Sequence, residues 1–135
     1  MNDNLIISKD KTKIDIEKAV SYLQNESYWA KNRSQETIEK SIDNSLSYSL
    51  FLNGEFIGFS RVISDYCTFS YLCDVFILTE YQNKKYGHKL MEYILNDDEI
   101  KGTRLFLLTQ TAQEFYKKFG FKNEAEILKR VMYIW

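Results

Sequence analysis

The stretch DVFILTEYQNKKYGHKL, Asp74 to Leu90, decides how the rest of the chain is read. Val75 to Leu78 is a continuous apolar run, the pattern of a strand buried on both faces. Tyr86, Leu90, Tyr93 and Ile94 then recur at i, i+4, i+7 and i+8, one apolar stripe of a helix. A short polar turn joins the two. The first N–H groups of a helix lack partners within the helix and carry the positive end of its dipole, so this turn is a candidate anion site. Lys84 and Lys85 are expected in that first turn, where a bound anion would offset the unfavourable dipole. Gly87, lacking Cβ, would let a ligand approach the backbone. A plain strand-to-helix junction with two solvated lysines is the competing reading.

Gln82, Lys85 and Gly87 occupy the first, fourth and sixth positions of a six-residue pattern. The segment resembles the central motif of the GCN5-related N-acetyltransferases, Gln or Arg, two residues, Gly, one residue, Gly or Ala, which wraps the pyrophosphate of acetyl-coenzyme A. Lys85 stands where glycine is usual. A second signature of the family, Ala followed four residues later by Tyr and then Gly-Phe, is matched by Ala112, Tyr116, Gly120 and Phe121. Thr109 stands where many members have asparagine.

The chain has 135 residues, 44 % hydrophobic and 16 % aromatic, enough for one core and short for two domains, so residues 1–135 are read as a single domain. A net charge of −1 argues against nucleic acid or an anionic membrane as partner. The longest apolar runs are strand-sized and Met1 opens a polar stretch, so neither a transmembrane span nor a signal peptide is expected, and the protein is read as cytoplasmic. Cys67, Cys73 and the single histidine, His88, are too few and too badly spaced for a metal site or a Cys-His or Ser-His-Asp catalyst.

Outward from the central stretch, Leu5 to Ser8 is a strand candidate. Asp15 is a helix N-cap, with Ile14 and Ala19 as a hydrophobic staple, and Ser34 caps a second helix carrying Ile38 and Ile42. Tyr28, Trp29 and Arg33 lie on the connection between these helices, either plugging the core or roofing an acceptor pocket. Asn53-Gly54 between two alternating runs marks a hairpin. A turn at Ser64 to Cys67 leads into a third strand, Thr68 to Leu78. Arg61 is either exposed on the sheet or a substrate ligand.

Asp74, directly before the apolar run, is read either as a strand-end carboxylate bonded to water or turn amides, or as a desolvated group with a raised pKa suited to a general base. Arg104 to Leu108 is a further strand. Thr111 and Glu114 form a capping-box pattern for a helix whose apolar face is Ala112, Phe115, Tyr116 and Phe119, closed by Gly120. By periodicity alone Tyr116 is a core residue. Lys129 to Trp135 reads as a closing antiparallel strand.

The family resemblance implies a mixed α/β acyltransferase fold, with a mostly antiparallel sheet, one splayed parallel strand pair and flanking helices. It implies acetyl-coenzyme A as co-substrate, without metal, and acetyl transfer to a primary amine of a small molecule or peptide. The coenzyme is expected against Phe76, Ile77 and Leu78, the turn Gln82, Asn83, Lys84, Lys85, Tyr86, Gly87, His88 and Lys89, and Thr109, Ala112 and Tyr116. Backbone groups of Phe76 and Leu78 are expected to bond the pantetheine arm, with Asp74 as base and Tyr116 as the acid that protonates the thiolate. Tyr28, Trp29, Arg33, Arg61 and Tyr71 are the expected acceptor liners. A coenzyme-binding sensor without turnover is the alternative, favoured by Lys85 and Thr109. The final strand and the three-strand meander are two routes to a homodimer.

Overall fold

The computed structural model describes residues 3–135. Five strands form one sheet in the order β1 (Leu5–Ser8), β2 (Leu46–Leu52), β3 (Glu55–Ser64), β4 (Phe69–Ile77) and β5 (Arg104–Phe106). All neighbours are antiparallel except β4 and β5. Helices α1 (Ile16–Asn25) and α2 (Gln35–Asp43) precede β2, and α3 (Tyr86–Leu95) makes the crossover from β4 to β5. Two short helices, α4 (Gln113–Lys117) and α5 (Ala125–Leu128), follow. Among the described residues no helix is long and apolar enough to cross a membrane.

The local chemistry explains most boundaries. The Asp15 side chain accepts from the Lys18 amide and Ser34 from the Thr37 amide, each satisfying an orphan donor at a helix start. Asn53 and Gly54 both take positive φ (50° and 85°), the twist that a two-residue hairpin needs. At the next turn Asp65 accepts from the amides of Cys67, Thr68 and Phe69, so it is a turn-forming residue. Ile14, Ala19, Val20, Leu23, Ile38 and Ile42 pack with Phe56, Phe59 and Phe76 on one face of the sheet. Leu90, Met91 and Ile94 of α3 pack with Tyr48, Val62 and Leu72 on the other.

Five expectations are corrected. The α3 stripe uses Met91, while Tyr93 is exposed, because the buried face is centred one residue later than the tyrosines suggest. Lys85 is the N-cap of α3 and Lys84 precedes it, so neither lies in the first turn. Strand β5 ends at Phe106, and α4 starts after Ala112 with no side-chain cap on Ala112; the Thr109 hydroxyl accepts from the Ala112 amide in place of the expected box. The tail from Lys129 to Trp135 forms no strand and is exposed, preceded by the unexpected α5.

Strand β4 carries the detail that builds the site. Phe59 pairs with Phe76 and Arg61 with Cys73, so Asp74 and Val75 together oppose Ser60 alone. This two-against-one bulge re-aims the strand. Leu72 and Val75 both belong to the α3 face, a spacing of three that only the extra residue permits. Asp74, the first residue of the bulge, sits at φ 53°, a left-handed conformation that aspartate tolerates better than most residues.

Candidate active site

Strand β4 leaves its parallel neighbour early. Pairing with β5 runs from Phe69↔Arg104 to Tyr71↔Phe106, and β4 then continues to Ile77. The Leu78 amide donates to the Ile57 carbonyl of β3 (2.7 Å), and the Leu78 carbonyl accepts from the Tyr81 amide (2.8 Å). By the alternation of an antiparallel strand the backbone of Phe76 also faces β3, and that of Val75 and Ile77 faces the opening beside β5. The backbone groups offered to that opening are therefore those of Val75 and Ile77, in place of the expected Phe76 and Leu78. Sequence reasoning missed Val75 because it could not see the bulge.

At the end of β4 the chain turns through a short 3₁₀ segment, Thr79–Tyr81, into the motif. The Gln82 side chain donates to the Ile77 carbonyl (2.8 Å) and to the Tyr22 hydroxyl (3.2 Å), and the Tyr22 ring stacks on Phe76 at 4.4 Å. Gln82 thus anchors the turn to β4 and α1. Asn83 and Lys85 adopt positive φ (63° and 68°). For Lys85 this is the physical reason that glycine suits the position, since a left-handed residue with a Cβ costs roughly 1–2 kcal/mol. The amides of residues 83 to 88 have no acceptor among the described residues; the next one, that of Lys89, donates to the Lys85 carbonyl (3.2 Å). Six successive open N–H groups leading into a helix start are a setting suited to an anion. A Cβ on Gly87 would lie 3.6 Å from the Phe115 ring and 3.8 Å from Ile77, so its open side faces the protein. His88 lies against Phe119 and Glu92 on the exposed side of α3.

Asp74 is 5 % exposed and is held from three directions. Arg33 Nη1 donates to both carboxylate oxygens (2.9 and 2.8 Å), Arg61 Nε to Oδ2 (2.6 Å) and Trp29 Nε1 to Oδ1 (2.8 Å). Burial alone would push this carboxyl up; the Arg61 charge and hydrogen bond, the Arg33 charge and the Trp29 bond turn the net shift downward. The expected raised pKa is thus reversed, and Asp74 is a poor proton acceptor near neutrality. Arg61 is 8 % exposed, which excludes the solvent-facing reading of this residue.

Tyr28 stands edge-on to Trp29 (5.1 Å), and its hydroxyl accepts from the Gln110 amide beyond β5 (2.9 Å). The α1–α2 connection therefore crosses from Asp74 on β4 to the segment after β5 and roofs the opening between the two strands. Tyr71 and Cys73 line β4 below it. Burial raises both, the thiol to about 11.

Tyr116, on α4, packs between Phe115 and Phe121. Burial and the neighbouring Tyr28 push its hydroxyl up to about 12. Its hydroxyl has no hydrogen-bond partner among the described residues, and its ring, with Leu105, Phe106 and Leu107, lines a cavity of about 450 Å³. Among the described residues no group of three or more His, Cys, Asp or Glu side chains could hold a metal.

The family model described as "Acetyltransferase (GNAT) domain" matches residues 43–123. That span includes β2 through α4 and leaves out the helices that deliver Tyr28, Trp29 and Arg33. No curated protein sequence matches the chain. Among solved structures, a protein of the GNAT family from Xanthomonas campestris pv. campestris is 32 % identical, with a TM-score of 0.93 over 98 % of this chain and 93 % of that one. A protein of unknown function from meticillin-resistant Staphylococcus aureus is 26 % identical, with a TM-score of 0.76 over 97 % and 98 %. A GNAT-family acetyltransferase from Streptococcus pneumoniae shares the fold at 21 % identity, with a TM-score of 0.72 over 99 % and 97 %.

Proposed function

Because the chain belongs to the GNAT acetyltransferase family, we propose that it transfers the acetyl group of acetyl-coenzyme A to a primary amine of a small molecule or peptide. The observation that carries this reading is the run of unpartnered amides at residues 83 to 88, placed where the free edge of β4 meets the start of α3. The residues present fit the coenzyme: the open amides and the helix dipole suit a diphosphate, and the Val75 and Ile77 backbone suits an extended amide-bearing arm. When bound, acetyl-coenzyme A supplies a thioester, an acyl group already activated toward amines.

The protein's own groups supply position, charge and protons. The Val75 and Ile77 edge of β4 offers N–H donors to a developing oxyanion in the opening. The proton of the attacking amine passes to an ordered water, because Asp74 is fully engaged and its pKa is depressed. Tyr116 donates a proton toward the thiolate leaving group. With its hydroxyl near 12 against an ordinary thiol near ~8.5, full transfer is uphill by roughly 5 kcal/mol, so the proton must move as the leaving group departs and acquires charge. The Thr109 hydroxyl oxygen accepts from the Ala112 amide before α4, which helps place Tyr116, and its O–H stays free to donate.

The test is mass spectrometry of an amine panel incubated with protein and acetyl-coenzyme A. An N-acetylated product that requires the protein is expected. Its absence across the panel, with the thioester consumed only at the rate without protein, would sink the proposal and leave a coenzyme-binding module, a reading that the locked Asp74 favours.

A further inference from the structure

We propose that the amine acceptor also carries an oxyanion, a carboxylate or a phosphate, and that Arg33 and Arg61 recognise it. The inference rests on the acetyltransferase reading above and adds the acceptor's chemical class.

Two guanidiniums share one carboxylate in a largely enclosed place, so the cluster carries one positive charge more than its own residues neutralise. Among the described residues, Asp74 is the one carboxylate that acts on Tyr71 and Cys73, its neighbours on β4. Arg33 uses only Nη1 on Asp74, and Arg61 only Nε. Among the described residues, Nε and Nη2 of Arg33 and both Nη atoms of Arg61 have no hydrogen-bond partner. Among the described residues the fully enclosed side-chain polar atoms without a partner are Ser47 Oγ and Ser49 Oγ, and none of these four is among them. The donors therefore reach accessible space, and the Arg33 side chain is 30 % exposed.

Position supports the assignment. Asp74, itself held by Trp29, anchors Arg33 to β4 where that strand has left β5, and Tyr28, next to Trp29, lies close enough to Tyr116 to act on its titration. A guanidinium already tethered through one nitrogen to both oxygens of a buried carboxylate loses less entropy when it binds a second oxyanion, and the planar fork left free matches a carboxylate or phosphate. Asp74 thereby acquires a role: it is a positioning residue that holds two arginines ready.

Matched acceptor pairs test this without any substitution. 4-Aminobutyrate is compared with 4-aminobutyramide, L-phenylalanine with L-phenylalaninamide, and O-phosphoethanolamine with ethanolamine, reading both kcat/KM and quenching of the two tryptophans in the presence of coenzyme A. An α-amide lowers the pKa of its amine and makes more of it nucleophilic, so amine reactivity alone would favour phenylalaninamide. We expect a preference of about 10- to 100-fold for the anionic member of the carboxylate or the phosphate pairs, the factor equivalent to one charge-assisted hydrogen bond. Arg33→Gln should reduce that preference at least tenfold, with Arg33→Lys intermediate because it keeps the charge and loses the fork. Equal or reversed preference in every pair overturns the inference while leaving acetyl transfer standing. Failure of every amine, the anionic ones included, overturns both.

Discussion

Replacing Asp74 with Asn keeps the shape of the side chain and suits the left-handed backbone, so the effect reports the lost charge together with the acceptor oxygen that becomes an NH2 donor. Among the described residues the carboxylate is the one acid in contact with Arg33 and Arg61. Removing one partner of a buried ion pair costs roughly 3–5 kcal/mol, because the other charge stays behind unpaired. Arg33 is partly solvated and Asn can still accept from Trp29, which places the expected loss at the low end, about 3 kcal/mol. For a chain of this size that corresponds to a fall in Tm of roughly 10 °C.

The pH dependence follows from the direction of the shift. A carboxyl whose folded pKa is lowered contributes stability above its unfolded value, near ~3.9, and loses it as pH falls through the folded value. Urea denaturation at neutral pH should therefore show the full gap between wild type and Asp74→Asn, and the gap should narrow below about pH 4. The acidic limb of kcat/KM should stay where it is in the variant, since a carboxyl held this low does not titrate near neutrality. A loss under about 1 kcal/mol would refute the charge-network reasoning, and disappearance of the acidic limb would restore Asp74 as the base.

Tyr116→Phe removes a proton donor and no hydrogen bond, so kcat should fall about 10- to 100-fold with coenzyme affinity unchanged in calorimetry; an unaltered kcat removes its acid role. Lys85→Gly relieves a left-handed lysine and adds unfolded-state entropy, two effects of about 1 kcal/mol and opposite sign, so urea stability should stay level or rise slightly; a loss beyond about 1 kcal/mol would contradict the backbone reading. Gly87→Ala places a methyl in ordinary contact with Phe115 and improves helix propensity by up to about 1 kcal/mol. Coenzyme affinity should hold, and a marked loss would show that this side of the helix meets the ligand.

The elements whose signals are local were legible in the sequence. Asp15, Ser34 and Asn53-Gly54 each carry their own hydrogen-bond or dihedral logic, and the structure places them as that logic requires. The meander and the crossover followed from those boundaries. The misreadings involve partners remote in sequence. The β4 bulge sets Asp74 and Val75 against Ser60, and no residue type announces it. Arg33 and Arg61 lie 41 and 13 residues from Asp74, so the sign of its pKa shift depended on tertiary pairing. The tail from Lys129 to Trp135 has strand-like composition, but strand formation needs a neighbouring edge, and none engages it among the described residues.

Calorimetric titration with acetyl-coenzyme A, followed in the same sample by thiol release on adding amines, tests the central claim most directly. The account predicts one saturable site of micromolar affinity and thiol release that depends on the amine. Absence of binding would contradict it, because the open amides of residues 83 to 88 and the free edge of β4 would then have no coenzyme to hold.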